Sequence, residues 1–203
     1  FGLQWWLGSL PVDGGDYQPW HRLDRNYDHA QFSPTDPDLA LFAQEWHWDM
    51  VSGLRHEIED RMWLIRRGGA PRPVFPTPTR CTHEWWDADG EHVWCVWHPD
   101  PDHHGTYRVN IRTGEAECRW VREHAWHSHS HSSGQYLVGD QHAPPAGGRI
   151  VKGCASTVEF RNTVTGRTLR LAENPERADY VGRGYHIDPH PRFCGGERFV
   201  VFT

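Results

Sequence analysis

The chain has 203 residues, 37% hydrophobic and 24% charged, with a formal net charge of −6. That length can bury one ordinary core, while the acidic balance argues against a nucleic-acid partner and no run approaches the ~18 apolar residues of a membrane helix. Twelve Trp, six Tyr and eight Phe exclude low-complexity disorder, and 16 His set metal or proton chemistry evenly against compositional drift.

Taken in chain order, residues 1–25 read as the remnant of a preceding structural unit. The first apolar run is Leu39–Ala43. Trp46–Glu59 is the best helix candidate, yet it lacks a sustained i, i+3, i+4 stripe. Further β runs follow at Arg61–Ile65, His92–Trp97, Tyr107–Ile111, Tyr136–Gly139, Ser156–Phe160, Thr168–Leu171 and Arg198–Thr203. Asp-Gly, Thr-Gly and Gly-Gly turns separate them, so an all-β protein with little helix is expected. The five cysteines are scattered, odd in number and form no C-x-x-C pair, which favours free thiols in a reducing compartment. Phe1–Trp6 has no signal-peptide shape, so a cytoplasmic protein is expected. Both ends read as cut.

The strands repeat. A histidine, a short polar or aromatic stretch, a turn and a β run recur at His29, His83, His127 and His190, spaced 54, 44 and 63 residues apart. Gly90 and Gly134 lie seven residues after their histidines, and Gly196 six after its own. That period matches a four-stranded antiparallel propeller blade with loop insertions. Residues 26–203 are therefore expected to hold about four blades of one partial β-propeller domain. In a propeller, equivalent positions converge on the channel, which would bring the four histidines to one mouth; the alternative is that they only cap strands.

Two stretches concentrate metal-ligand chemistry. Glu123–His131 carries His127 and His129 two residues apart, hence on one strand face; its other reading is a solvated His/Ser loop. The second stretch offers His186, Asp188 and His190 at alternating positions. Imidazole with carboxylate suits Mn, Zn or Fe(II). His83, flanked by aromatic residues, suits a partly desolvated general base. Arg61 either binds an anion or neutralises the acidic run Glu57, Glu59 and Asp60. Tyr27–Phe32, with His29 and Gln31, supplies sugar contacts or pins the first blade.

Together, Asp28–Pro37, Asp60–Leu64, Thr82–Trp86, Trp126-His127 leading to Leu137–Asp140, and Asp188–His190-Pro191 resemble the oligogalacturonate lyases, seven-bladed β-propeller enzymes that bind Mn and degrade pectin oligomers. The resemblance implies His83 as the proton-abstracting base and Arg61 as the substrate arginine. It implies His127 and His190 as metal ligands, with Asp188 at a position where the family has His and with His129 or His186 completing the shell. Tyr185 stands where the family has Gln and joins His29 and Gln31 as an expected substrate contact. The expected cofactor is a divalent ion, Mn ahead of Zn or Fe, and the expected partner an oligogalacturonide, with no nucleic acid and no membrane. The expected reaction is β-elimination to 4,5-unsaturated uronides; the alternative is a propeller that binds an anionic sugar or a structural metal without turnover.

Overall fold

A computed structural model describes residues 4–49, 51–98, 103–143, 155–175 and 188–203. Eighteen strands and no α-helix occur among the described residues. Three sheets have four strands each. The first pairs β3 (Tyr27–Phe32), β4 (Leu39–Gln44), β7 (Met62–Arg66) and β8 (Arg72–Pro73) in that order. The second contains β9 (Cys81–Trp86), β10 (His92–Trp97), β11 (Gly105–Asn110) and β12 (Ala116–Val121). The third contains β13 (Ala125–Ser130), β14 (Tyr136–Ala143), β15 (Ala155–Asn162) and β16 (Thr168–Asn174). In each sheet the strands neighbour one another in chain order, as in an antiparallel meander. Two-stranded sheets form from β1 (Trp5–Ser9) with β2 (Gln18–Leu23), β5 (His47–Trp48) with β6 (Arg55–His56), and β17 (Arg192–Cys194) with β18 (Phe199–Val201).

The chain packs as two compact units, one of Phe1–Val93 with Asn110–Glu115, the other of Trp94–Val109 with Ala116–Thr203. In the first, the second strand of the sheet is buried on both faces. Ala40, Leu41, Phe42 and Ala43 are all buried, which is why this run is continuously apolar rather than alternating. Leu7 of β1 and Trp20 and Leu23 of β2 join Ala40, Phe42 and Ile65 in one cluster, with Trp5, Tyr27 and Trp63 packed against it. Full burial of a side chain such as Phe42 contributes about 2–3 kcal/mol. In the second unit Trp94, Val96, Leu137, Val138 and Val158 are fully buried.

Turn chemistry repeats with the strands. Asn110 and Asn162 each accept hydrogen bonds on Oδ1 from the amides two and three residues on, and each turn closes with a left-handed glycine, Gly114 or Gly166. Asp49 does the same with Val51, Ser52 and left-handed Gly53. The Trp46–Glu59 helix candidate is thus the short β5–β6 hairpin: the Asp49 amide donates to the Leu54 carbonyl at 2.8 Å, and Gly53 takes left-handed backbone that a right-handed helix does not continue through.

Gly68 and Gly90 both sit at positive φ, 74° and 68°. A Cβ on Gly68 meets nothing, whereas one on Gly90 runs into the Thr35 side chain. Gly68→Ala should therefore cost about 1 kcal/mol, the left-handed penalty alone. Gly90→Ala should cost about 1–3 kcal/mol more because the loop carrying Thr35 must shift. Urea unfolding midpoints of the two variants check the order.

Candidate functional site

A histidine is the third residue of the first strand in each four-stranded sheet: His29 in β3, His83 in β9 and His127 in β13. His29, His83 and His190 share a second property, left-handed backbone at φ 51°, 53° and 45°. Positive φ is rare outside glycine and costs on the order of 1–3 kcal/mol per residue. At His29 it coincides with a register shift in the β3–β4 pairing between Asp28 and Gln31. Such bulges re-aim side chains and gather near active sites.

In the first unit the ring of His29 meets a buried carboxylate. Glu84 Oε1 lies 3.0 Å from His29 Nδ1, and Arg61 Nε donates to Glu84 Oε2 at 2.9 Å. The Glu84 side chain is wholly buried, while that of His29 is 52% exposed. Arg61 also pairs with Glu45 through Nη1, and its Nη2 lies 3.2 Å from His29 Nδ1. Gln31 Nε2 donates to the backbone carbonyl of Glu84 at 2.9 Å. Burial pushes the Glu84 carboxyl up, but the hydrogen bonds from His29 and Arg61 outweigh it and hold the group ionised. The hydrogen bond to Glu84 raises His29 above its ordinary value against the opposing effect of burial, and so favours the protonated ring.

In the second unit Asp140 plays the corresponding part. Its fully buried carboxylate accepts the His127 amide at 2.6 Å on Oδ1, and the His190 amide at 3.0 Å on Oδ2. Oδ2 also lies 2.9 Å from His127 Nδ1. An ionised carboxylate only accepts, so Nδ1 carries the proton in this contact and Nε2 is the ring nitrogen left to face a ligand. The hydrogen bonds from His127 and the two amides keep Asp140 below the usual carboxylate value against the upward push of burial. Buried Arg122 braces the assembly. It donates to the Asp140 carbonyl at 2.7 Å, to the His127 carbonyl at 3.2 Å and to Ser128 Oγ, and it stacks 4.1 Å from the Trp120 ring centroid. Burial pushes Arg122 down to about 10, so it stays a cation at neutral pH. Its guanidinium fills the space a Cβ on residue 139 would need, which is why Gly139 stands there.

The rings of His127 and His190 lie 4.0 Å apart between centroids at a 32° tilt. Burial, followed by the nearby His127 and Arg192 charges, lowers His190, so its imidazole is neutral near pH 7. His129 is pushed down to about 4 by burial and Arg192, and its Nδ1 accepts the Phe193 amide at 3.4 Å. Neutral imidazoles are the form that binds metals, and a carboxylate behind a ligand histidine is the usual outer-shell arrangement. The donor set therefore fits a divalent ion.

The structure thus gathers His29, Gln31 and Arg61 in one cluster and His127 and His190 in the other. Asp188 Oδ1 lies 3.6 Å from His142 Nε2. Tyr185 and His186 fall outside the described residues. Two expectations change. The His/Ser run is a strand, not a solvated loop, with His127, Ser128 and Ser130 buried. A register shift between Ala125 and Ser128 interrupts simple alternation there, so i, i+2 spacing does not by itself put His127 and His129 on one face. Arg61 does not neutralise the acidic run: Arg55 pairs with Glu57 and Arg25 with Glu59, while Arg61 turns to Glu45 and Glu84. Glu84, Asp140 and Arg122 went unassigned from sequence, although Glu84 directly follows His83.

No family profile and no curated protein matches the sequence. Solved structures match its fold. An oligogalacturonate lyase in complex with manganese aligns at a TM-score of 0.68 and 23% identity, over 96% of this chain and 49% of the lyase. The oligogalacturonate lyase of Vibrio parahaemolyticus aligns at 0.66 and 22%, over 96% and 50%. A nidogen/laminin complex gives 0.52 at 8% identity, over 78% of this chain and 52% of the matched one. The likeness is one of fold, and the chain spans about half the length of the two lyases. The all-β, propeller-type architecture expected from the repeat is borne out.

The raised His29 value has a definite sign. Its pairing with Glu84 stabilises the fold below the ordinary imidazole value of about 6.5 and fades as pH rises through the raised value. The stability difference between wild type and His29→Gln, read from urea midpoints, should be largest near pH 6 and shrink by pH 8.5. In Glu84→Gln the His29 titration followed by NMR should fall back toward about 6.5 or below, since Arg61 remains beside it.

Proposed function

We propose that the protein is a metal-assisted lyase acting on short oligogalacturonides. The observation that carries this reading is the pairing of His127 with His190 on the buried Asp140 carboxylate. His127 and His190 hold the ion in this reading, and His83 keeps its lone pair for the base role. The repeat phase and the left-handed backbone that His83 shares with His190 support a functional part for His83. Asp188 and His129 or His186 complete the shell. Manganese is the expected ion, in keeping with the manganese complex of the similar lyase; imidazole-rich sets also take Zn or Fe(II).

β-Elimination requires removing the C5 proton of a uronate residue, next to a carboxylate whose own charge resists it. When bound, a divalent ion supplies Lewis-acid polarisation of that carboxylate. His83 takes the C5 proton. The electron pair left on carbon forms the C4=C5 double bond as the C4–O4 bond breaks, and the departing oxygen leaves as a hydroxyl once protonated. His29, half-exposed and biased toward its protonated form, and Arg61 behind it meet the growing charge on the carboxylate, which is stabilisation in the transition state rather than the ground state. Gln31 and Tyr185 contact the sugar. One observation favours a second reading, anionic-sugar binding without turnover: Arg61 already bears two carboxylates, Glu45 and Glu84.

The full-length protein, loaded with Mn and mixed with digalacturonate, should generate the absorbance of an unsaturated uronide. Saturable binding with no absorbance would select the non-catalytic reading. His83→Ala should lower kcat by about 10²–10⁴ while the protein still folds; activity per folded molecule near wild type would remove His83 from the base role. Asp140→Asn should weaken metal binding about 10–100-fold. A double His127→Ala, His190→Ala variant should carry no ion by elemental analysis, and equal metal content in variant and wild type would reject the assignment.

A further inference from the structure

A cavity of about 310 Å³ in the first unit is used by none of the chemistry above. Tyr27, Trp63 and Phe75 line it, with prolines 73, 76 and 78 at their side. The rings of Tyr27 and Trp63 meet nearly at right angles, 87°, with centroids 6.0 Å apart. That is an edge-to-face contact between the two rings, which fixes them as one aromatic side of the cavity.

The polar lining is acidic. Asp24, Glu59 and Asp60 contribute carboxylates and Arg25 the one cation of the lining. Arg25 is already committed, to Glu59 at 2.7 Å and to Asp24 at 3.8 Å. Tyr27 OH donates to Asp24 at 3.3 Å. Asp60 is different. It is only 7% exposed, and its carboxylate takes one long hydrogen bond on Oδ1, from the Thr79 amide at 3.4 Å. Among the described residues no cation is recorded against it. Burial accordingly pushes its carboxyl up to about 6. A uronate or phosphate would be repelled by this lining, while a neutral ligand would leave the carboxylate uncompensated.

We propose that this cavity binds an organic ammonium ion, held against its aromatic lining of Tyr27, Trp63 and Phe75 and paired with the Asp60 carboxylate. Aromatic rings attract such cations by their quadrupole, and the buried carboxylate adds a negative charge that Arg25, committed to Glu59 and Asp24, does not neutralise. The site is independent of the lyase reading, since none of its residues touches substrate there.

The test uses choline chloride and its uncharged isostere 3,3-dimethyl-1-butanol, titrated into wild-type protein by calorimetry. Choline should bind about tenfold or more tightly than the alcohol at pH 7.5. Its affinity should fall as pH drops through about 6, by up to tenfold per unit, because the Asp60 carboxyl must lose its proton to pair; the other charged groups of the lining are Arg25, Asp24 and Glu59. Asp60→Asn should reduce choline affinity about tenfold and leave the alcohol unchanged. Equal affinity for the two ligands, a pH-independent choline affinity, or no detectable choline binding at millimolar concentration would each overturn the proposal, and the wild-type comparison needs no variant to fold.

Discussion

A carboxylate taken out of water must be met by donors, and two such carboxylates organise this protein. Asp140 collects two backbone amides and one imidazole; Glu84 collects one imidazole and one guanidinium. Left unpaired, each would cost several kcal/mol. The need to satisfy them fixes ring orientation, tautomer and backbone together. His127 cannot turn its Nδ1 outward, and His190 cannot move its amide, without stranding Asp140. Each cluster is therefore rigid for reasons of solvation, before any ligand arrives.

The second layer of support is as costly and as informative. Arg122 is a buried cation surrounded by carbonyls, hydroxyls and the Trp120 ring rather than by a direct carboxylate contact. It reaches Asp140 through the backbone oxygen and depends on the missing side chain at Gly139. Such a network is all-or-none: half-satisfied it is worse than an apolar core. That makes the strand pair β13–β14 the most demanding part of the second unit to build, and it is where the polar residues of the core concentrate.

Much of the fold was legible in the sequence because it rests on burial. Leu39–Ala43, His92–Trp97 and Tyr136–Gly139 are apolar runs, and they are the central strands β4, β10 and β14. The first strands β9 and β13 were harder. Their sequences, Cys81–Trp86 and Ala125–Ser130, are rich in His, Ser and acidic residues and resemble loops, because their polar groups are satisfied by partners remote in sequence. The same remoteness hid Glu84 and Asp140. Their spacing from His29 and His127 is 55 and 13 residues, and no local pattern marks a residue whose role is to receive a distant proton. The histidine phase, by contrast, was visible as a bare repeat, and the shared left-handed backbone at three of the four positions gives that repeat a physical content.

The left-handed histidines also constrain how this sequence can change. At positions 29, 83 and 190 the backbone excludes β-branched residues whatever the side chain does. Only Gly and the short polar residues that tolerate such backbone, Asn and Asp above all, are open to substitution at comparable cost. Relatives that abandon imidazole chemistry should therefore carry Asn, Asp or Gly at these three sites, not Val or Ile. The 127 position lies outside that steric restriction, but a replacement there must still donate to the buried Asp140 carboxylate. Divergence among the four histidines is thus steered by backbone sterics at three of them and by the solvation of a buried charge at the fourth.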